Sequence, residues 1–347
     1  MADALRMAGE PVEALDALRL ACRRFPDEES LSAALADALA RSGERDAALA
    51  EARRWPGSDW AAALALKLLL REGRLAEAEA FKEKVAVADP GNPHLFELRA
   101  TRLRQRPEAM LRLCDAVLAH EAGAAHAVYH KAIALAQLGR AAEAAELMGT
   151  ERFLSIAGLA PPGGDPDSFH AELRAEILAN PTLRPDPAGH ATRHGLRSGS
   201  FPMPGDASGT TLVGAIRQAI ESYCGTLSGH HPFVAAMPEQ ATLTTWAVIL
   251  AGPGHQELHV HPARWLTGVY YVSAPEGPSR LGAIRIGGLP AWARVEPPWP
   301  IREVEPEPGT LLLFPSHVPH ETLPTGSRTE RISVAFDVAP AAAAIRR

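Results

Sequence analysis

Over the first 150 residues, apolar positions recur at helical spacing in short runs broken by small turns. The runs are rich in Ala, Leu, Glu and Arg, all good helix formers. One turn motif repeats. Gly9-Glu10-Pro11-Val12-Glu13-Ala14 returns as Gly43-Glu44-Arg45-Asp46-Ala47-Ala48, as Gly73-Arg74-Leu75-Ala76-Glu77-Ala78 and as Gly139-Arg140-Ala141-Ala142-Glu143-Ala144. Arg106-Pro107-Glu108-Ala109 stands where a further copy falls, and Phe25-Pro26, Trp55-Pro56 and Asp89-Pro90 punctuate the stretches between. Glycine permits a tight turn within a helix pair, and proline ends the second helix. Each pair exposes an apolar face that only a neighbouring pair can cover, so the units are expected to stack.

This segment resembles a divergent tetratricopeptide repeat array, covering residues 1–149. After Glu151 the texture changes. Residues 158–166 (GLAPPGGDP) break the helical pattern, helices are expected at Ser168–Leu178 and Thr211–Leu227, and residues 189–200 (GHATRHGLRSGS) read as loop. From Gln240 the pattern turns to β: LTTWAVILA, ELHVH, WLTGVYYV, GAIRI, TLLLF and RISVAFDV, split by Pro/Gly clusters. Short strands after helices, without alternation, point to a sandwich or jelly-roll barrel and away from a Rossmann fold. The expected class is α+β and multidomain: a helical array over 1–149, then a jelly-roll domain with flanking helices over 150–347. The Ser168–Leu178 helix, with Phe169, Leu173 and Ile177 on one stripe, is placed to cap the array. The proline-rich stretch Ala291–Pro300 is either a lid or a stiff surface loop.

Composition narrows the function classes. A formal charge of -6 argues against a nucleic-acid partner. Cys22, Cys114 and Cys224 are scattered and form no CxxC pair, which suits a reducing, cytoplasmic setting. The opening residues are amphipathic and acidic, without the basic and apolar regions of an export signal, and no apolar run is long enough to suggest a membrane span. GxGxxG, Walker A and GxSxG sequences do not occur, so nucleotide binding and serine hydrolysis lack their motifs.

The chemistry-bearing segment is His255-Gln256-Glu257-Leu258-His259-Val260-His261-Pro262. Alternate residues of a strand share a face, so His259 and His261 are expected side by side, with His255 and Glu257 on that face if the strand begins early enough. His320 follows a turn and an apolar strand, Pro308-Gly309-Thr310-Leu311-Leu312-Leu313-Phe314-Pro315. A histidine pair on one strand and a distal histidine from a later one make a facial ligand set. Imidazole suits iron, and such a set leaves coordination positions open. His190, His194, His255 and His317 read as surface or core histidines.

The series His259-x-His261, Trp265-Leu266-Thr267-Gly268-Val269-Tyr270-Tyr271-Val272, Phe314-Pro315-Ser316…His320 and Arg331-Ile332-Ser333 resembles the 2-oxoglutarate/Fe(II)-dependent oxygenase family over about residues 153–338. The resemblance implies a double-stranded β-helix, with Fe(II), 2-oxoglutarate and O2 as cofactor and cosubstrates. It implies His259, His261 and His320 as metal ligands and Arg331 as the grip on the distal carboxylate of 2-oxoglutarate. Arginine's planar fork suits that task. Ser333 would add a hydroxyl, and either Tyr270 or Tyr271 would face the cosubstrate, Tyr271 being preferred. No catalytic group beyond the metal centre is implied. Most of the superfamily uses His-x-Asp or His-x-Glu, so Glu257 stands as an alternative third donor to His261.

The activity implied is oxidation coupled to the conversion of 2-oxoglutarate to succinate and CO2, with hydroxylation as the default outcome. The substrate would be a peptide, a protein or an amino-acid-derived small molecule, captured with help from the helical repeats, which are also a surface for a protein partner. Two other readings stand beside it: a cupin-type three-histidine metalloenzyme without 2-oxoglutarate, and a non-catalytic metal-binding scaffold.

Overall fold

The computed structural model describes residues 11–56, 58–84, 93–160, 165–185, 190–277 and 279–341. The chain divides into two compact units. One comprises residues 1–102, 180–190 and 196–199, and the other residues 103–179, 191–195 and 200–347. Gly9 and Asp89-Pro90 of the repeat motif lie outside the described residues.

In the first unit, α1 (Pro11–Arg24), α2 (Glu29–Arg41), α3 (Arg45–Ala52), α4 (Asp59–Arg71), α5 (Leu75–Lys84) and α6 (Pro93–Leu103) follow one another. The repeated glycine ends the first helix of a pair. Gly43 and Gly73 have φ of +84° and +70°, with nothing within 4 Å of an added Cβ, so conformation rather than space demands glycine there. The amide of Glu44 bonds the Leu39 carbonyl, and that of Arg74 the Leu69 carbonyl, each at 2.9 Å. The same cap recurs in the second unit, where the amide of Arg140 bonds the Leu135 carbonyl at 2.9 Å. The core of the first unit is Ala- and Leu-rich, with Ala48, Leu49, Ala62, Leu66 and Leu69 buried. Small alanines let the helix backbones approach closely.

The second unit opens with α7 (Pro107–Leu118), α8 (Ala125–Gln137), α9 (Ala141–Met148) and α10 (Thr150–Phe153). Next come β1 (Ser155–Gly158), α11 (Pro166–Leu178), β3 (Thr192–Arg197, whose last two residues fall in the first unit), α12 (Ala207–Thr226) and α13 (Pro232–Ala235). A short strand β2 (Arg184–Pro185) of the first unit pairs with the end of β3. The sheet continues with β4 (Ala241–His259), β5 (Leu266–Ser273), β6 (Ile284–Ile286), β7 (Arg302–Val304), β8 (Thr310–Pro315), β9 (His320–Thr322) and β10 (Arg331–Pro340). Its order is β1-β8-β5-β10-β4-β9-β6-β7, and every registered pairing is antiparallel.

The sheet is curled. β5 and β6 are four steps apart in the order, which in a flat sheet means about 19 Å at the usual strand spacing. Yet Val269 and Tyr271 of β5 share one core with Ile284 and Ile286 of β6. β4 makes this curl, because its first half pairs with β10 and its far end with β9. The central strand β5 is buried along almost its whole length, which is why LTGVYYV reads as a continuous run rather than an alternation.

Three expectations are revised here. The loop-like stretch at 189–200 contains strand β3. The Ser168–Leu178 helix packs on β5 and α12, so its apolar stripe serves the sheet side. The last helix pair is instead covered by the sheet domain itself: Tyr129, Ile133, Ala136 and Met148 join the core of Val269, Leu312 and Phe314. Thus α7–α9, which by sequence continue the repeats toward residue 149, lie by compactness in the unit that holds the sheet. The Ala291–Pro300 stretch is fastened down, with Gln105 Nε2 donating to the Trp292 carbonyl at 2.7 Å and Gln137 Nε2 to the Ala293 carbonyl at 3.0 Å. Among the described residues, no helix is long and apolar enough to cross a membrane.

Candidate metal centre and anion pocket

His259, the last residue of β4, is paired directly with His320, the first of β9. The pairing is irregular between Gln256 and His259, which breaks the simple alternation expected for this segment. His261 lies just past the strand, its amide held by the Ser316 carbonyl at 3.0 Å. The turn after it is fixed from α8, where His126 Nδ1 donates to the Pro262 carbonyl at 3.1 Å. Ligating atoms of His259, His261 and His320 all lie within 4.8 Å of one another, and His320 is buried.

Their hydrogen bonds set the tautomers. His259 Nδ1 meets the Glu257 carbonyl at 2.7 Å, and His320 Nδ1 meets the Val318 carbonyl at 3.1 Å. A carbonyl only accepts, so Nδ1 carries the proton in both rings. His261 Nδ1 reaches both oxygens of Asp337, at 2.7 and 2.9 Å. In each ring Nε2 is left as the lone-pair donor, and the other nitrogen is tied to an oxygen, the arrangement of a metal-ligating histidine. Burial first, then the neighbouring His261, pushes the His320 imidazole down to about 3, which keeps it a neutral donor. Three imidazole nitrogens converging from one side fit a divalent transition metal such as iron and leave positions open.

Glu257, the alternative donor, is not with the triad. It pairs with Arg193 at 2.6 Å, with its side chain 47% exposed. The irregularity in β4 accounts for this, because it uncouples Glu257 from the face of His259.

In the sequence Asp337 is one polar position in RISVAFDV. It is buried and also accepts from the Thr267 hydroxyl at 2.7 Å. Burial raises its carboxyl, but His261, Thr267 and Arg264 outweigh this and hold it below the ordinary range. Two polar residues facing each other from adjacent strands, Thr267 and Asp337 in register, were the available signal.

Arg331 and Ser333 share a face of β10 and open on the same cavity as the histidines, a space of about 380 Å3 including its mouth. Trp246, Gln256 and Phe314 complete the walls. Arg331 is 1% exposed. Its contacts are long: 3.4 Å to the Ser333 hydroxyl and 3.4 Å to the Tyr271 hydroxyl, with the guanidinium carbon 4.9 Å above the Tyr271 ring. Its Nε is buried without a hydrogen-bond partner, and no carboxylate pairs with it among the described residues. A buried cation in that state fits an anionic ligand. Of the two tyrosines, Tyr271 is the one beside Arg331. Tyr270 has the opposite parity and meets His170 Nε2 of α11 at 2.7 Å.

Residues 244–337 match the protein family described as "Putative 2OG-Fe(II) oxygenase". The chain therefore carries a 2OG-Fe(II) oxygenase domain, whose cofactors are Fe(II), 2-oxoglutarate and O2. The match ends on Asp337 and contains every residue of the metal centre and the arginine pocket described above. No curated protein matches the chain. Among solved structures, a Pseudomonas putida prolyl-4-hydroxylase is similar at 20% identity over 56% of this chain and 96% of its own, with a TM-score of 0.42. A Trichoplax adhaerens prolyl hydroxylase, solved with a hypoxia inducible factor peptide fragment, is similar at 16% identity over 58% and 92%, with a TM-score of 0.40. The α-ketoglutarate-dependent epimerase SnoN from nogalamycin biosynthesis is similar at 13% identity over 58% and 82%, with a TM-score of 0.41.

Proposed function

We propose that the chain is an Fe(II)- and 2-oxoglutarate-dependent hydroxylase whose sheet is a double-stranded β-helix. His259, His261 and His320 would hold the iron. Arg331 would take the distal carboxylate of 2-oxoglutarate on its fork, with Ser333 and Tyr271 contributing hydroxyls. The bound metal would supply the activation of O2 that links decarboxylation of 2-oxoglutarate to oxidation of a substrate C–H bond.

The observation that carries this reading is Arg331, a buried guanidinium with no acidic partner among the described residues, opening on the cavity of three histidines that present their Nε2 atoms. Use of 2-oxoglutarate by the centre would give that cation an anionic partner. The chain's own residues would bind, orient and exclude water. The Tyr271 face would hold the guanidinium plane, while Trp246 and Phe314 would limit solvent at the ligands.

The repeats over residues 1–149, read as tetratricopeptide-like, would present a surface to a peptide or protein substrate or partner, with an amino-acid-derived small molecule as the alternative substrate. The three cysteines are free, and two of them, Cys22 and Cys114, are buried, which suits a cytoplasmic setting. Anaerobic calorimetry with 2-oxoglutarate tests the reading: binding should appear once Fe(II) is added and vanish in His320→Ala. Equal binding with and without metal would overturn it.

A further inference from the structure

The oxygenase reading leaves a chemical gap. Where most members of the superfamily place a carboxylate on the metal, this chain has His261, so three neutral ligands face a dication. Asp337 stands directly behind His261. Its two oxygens lie 2.7 and 2.9 Å from Nδ1, on the side of the ring opposite the ligating nitrogen. The carboxylate is buried on β10, and the Thr267 hydroxyl of the neighbouring strand fixes one oxygen at 2.7 Å. The Phe336 carbonyl, at 3.0 Å, is the other acceptor within reach of that single hydroxyl proton, and the shorter contact is the one to Asp337. The second oxygen has Arg264 Nε at 3.6 Å, from a side chain 41% exposed and therefore screened by solvent. The other two ligand rings lean on neutral backbone carbonyls.

We infer that Asp337 is a positioning residue that returns to the metal centre, through the His261 ring, the negative charge that a directly bound carboxylate would have supplied. A carboxylate on Nδ1–H fixes the tautomer, aims Nε2 and makes the ring a stronger donor. Tying both oxygens to Nδ1, with Thr267 as a third point, leaves the ring little freedom to turn. The inference rests on the metal-centre reading of the same histidines.

Asp337→Asn separates charge from shape, because an amide oxygen can still accept from Nδ1. The full-length chain is titrated anaerobically with Co(II), whose visible absorption reports on the ligand field, and the metal-free proteins are compared by thermal unfolding. The expected result is unchanged stoichiometry, a 10- to 100-fold weaker affinity and a shifted absorption, in a variant whose metal-free form still unfolds cooperatively. Thr267→Val, which frees one carboxylate oxygen while leaving the His261 contact, should weaken Co(II) binding by a smaller factor. It carries the test should the asparagine variant fail to fold. Parent-like affinity and absorption in Asp337→Asn, or in Thr267→Val if only that variant folds, would overturn the inference while leaving the metal centre standing. Absence of Co(II) binding in the parent would overturn the metal-centre reading itself, and this inference with it.

Discussion

His259 and His320 face each other across the β4–β9 pair, and their rings stand 4.2 Å apart centroid to centroid. Two strands from different parts of the chain thus deliver two donors to one point, and His261 joins them from the adjoining turn. His259→Ala and His320→Ala should each abolish Fe(II) binding, since two ligands do not hold a labile dication. Anaerobic Fe(II) titration checks this, and parent-like affinity in both variants would remove the assignment.

Arg331 should matter to 2-oxoglutarate far more than to iron. A charge-assisted carboxylate contact contributes about 1.5–3 kcal/mol, or roughly ten- to a hundred-fold in affinity. Arg331→Ala should lose that much in calorimetry, and Arg331→Lys should recover only part, because the fork is gone. A second effect follows from the lack of an acidic partner for Arg331 among the described residues. In the cofactor-free protein a buried unpaired cation is a liability, so Arg331→Met should raise the melting temperature while removing 2-oxoglutarate binding. A lower melting temperature would show that the guanidinium is already well satisfied.

Removing the first 149 residues should cost the site, although the change of sequence texture falls there. The cut strips Tyr129, Ile133 and Met148 from the core they share with Leu312 and Phe314, and takes away the His126 bond to the Pro262 carbonyl. A chain beginning at Leu103 should stay soluble and bind Fe(II), whereas one beginning at Thr150 should aggregate. Gel filtration and metal titration of both fragments decide this, and a soluble, iron-binding 150–347 fragment would contradict it.

Low pH should destabilise the metal-free protein partly through His317. Burial, then His231, pushes this ring down to about 3, and its Nε2 meets the Met148 carbonyl at 3.1 Å. The unfolded chain takes up a proton near pH 6.5 that the folded chain refuses until near pH 3. The contribution is therefore complete above pH 6.5 and is lost below it at about 1.4 kcal/mol per pH unit. His317→Asn, which keeps a donor for Met148, should flatten the fall in stability between pH 6 and pH 4 in urea titrations. An unchanged slope would place the acid sensitivity elsewhere.

Gly73→Ala should destabilise by about 1–2 kcal/mol, the cost of a left-handed conformation for a residue with a Cβ. Gly225→Ala, inside α12 with open space around it, should be neutral or stabilising by up to about 1 kcal/mol. Equal effects in thermal melts would mean that the Gly73 turn relaxes.

What the sequence disclosed follows from the reach of each signal. The runs at 265–272, 310–314 and 331–338 became β5, β8 and β10, because strands buried along most of their length are mostly apolar, with polar exceptions such as Arg331, Ser333 and Asp337 at the site. The glycine turns were legible because a left-handed cap has a strong residue preference. The histidines that meet at one point stood out by spacing and by the resemblance of the surrounding motifs. Strand β3 did not, since Thr192–Arg197 is polar and only partly buried and looks like loop on composition. Asp337 stayed hidden because its meaning lies in register with Thr267 and in reach to His261, and neither is local in sequence. Nor does an Ala-rich helix pair announce what covers it, so the sheet domain beneath α8 and α9 could be read only from the fold.

The central claim is tested most directly by oxygen-dependent release of succinate from 2-oxoglutarate by the full-length chain, with Fe(II) present and absent. The account predicts slow turnover in the parent even without added substrate, abolished by omitting Fe(II), by His320→Ala and by Arg331→Ala. Succinate formation that survives both substitutions, or none at all from a parent shown to hold one Fe(II), would contradict it.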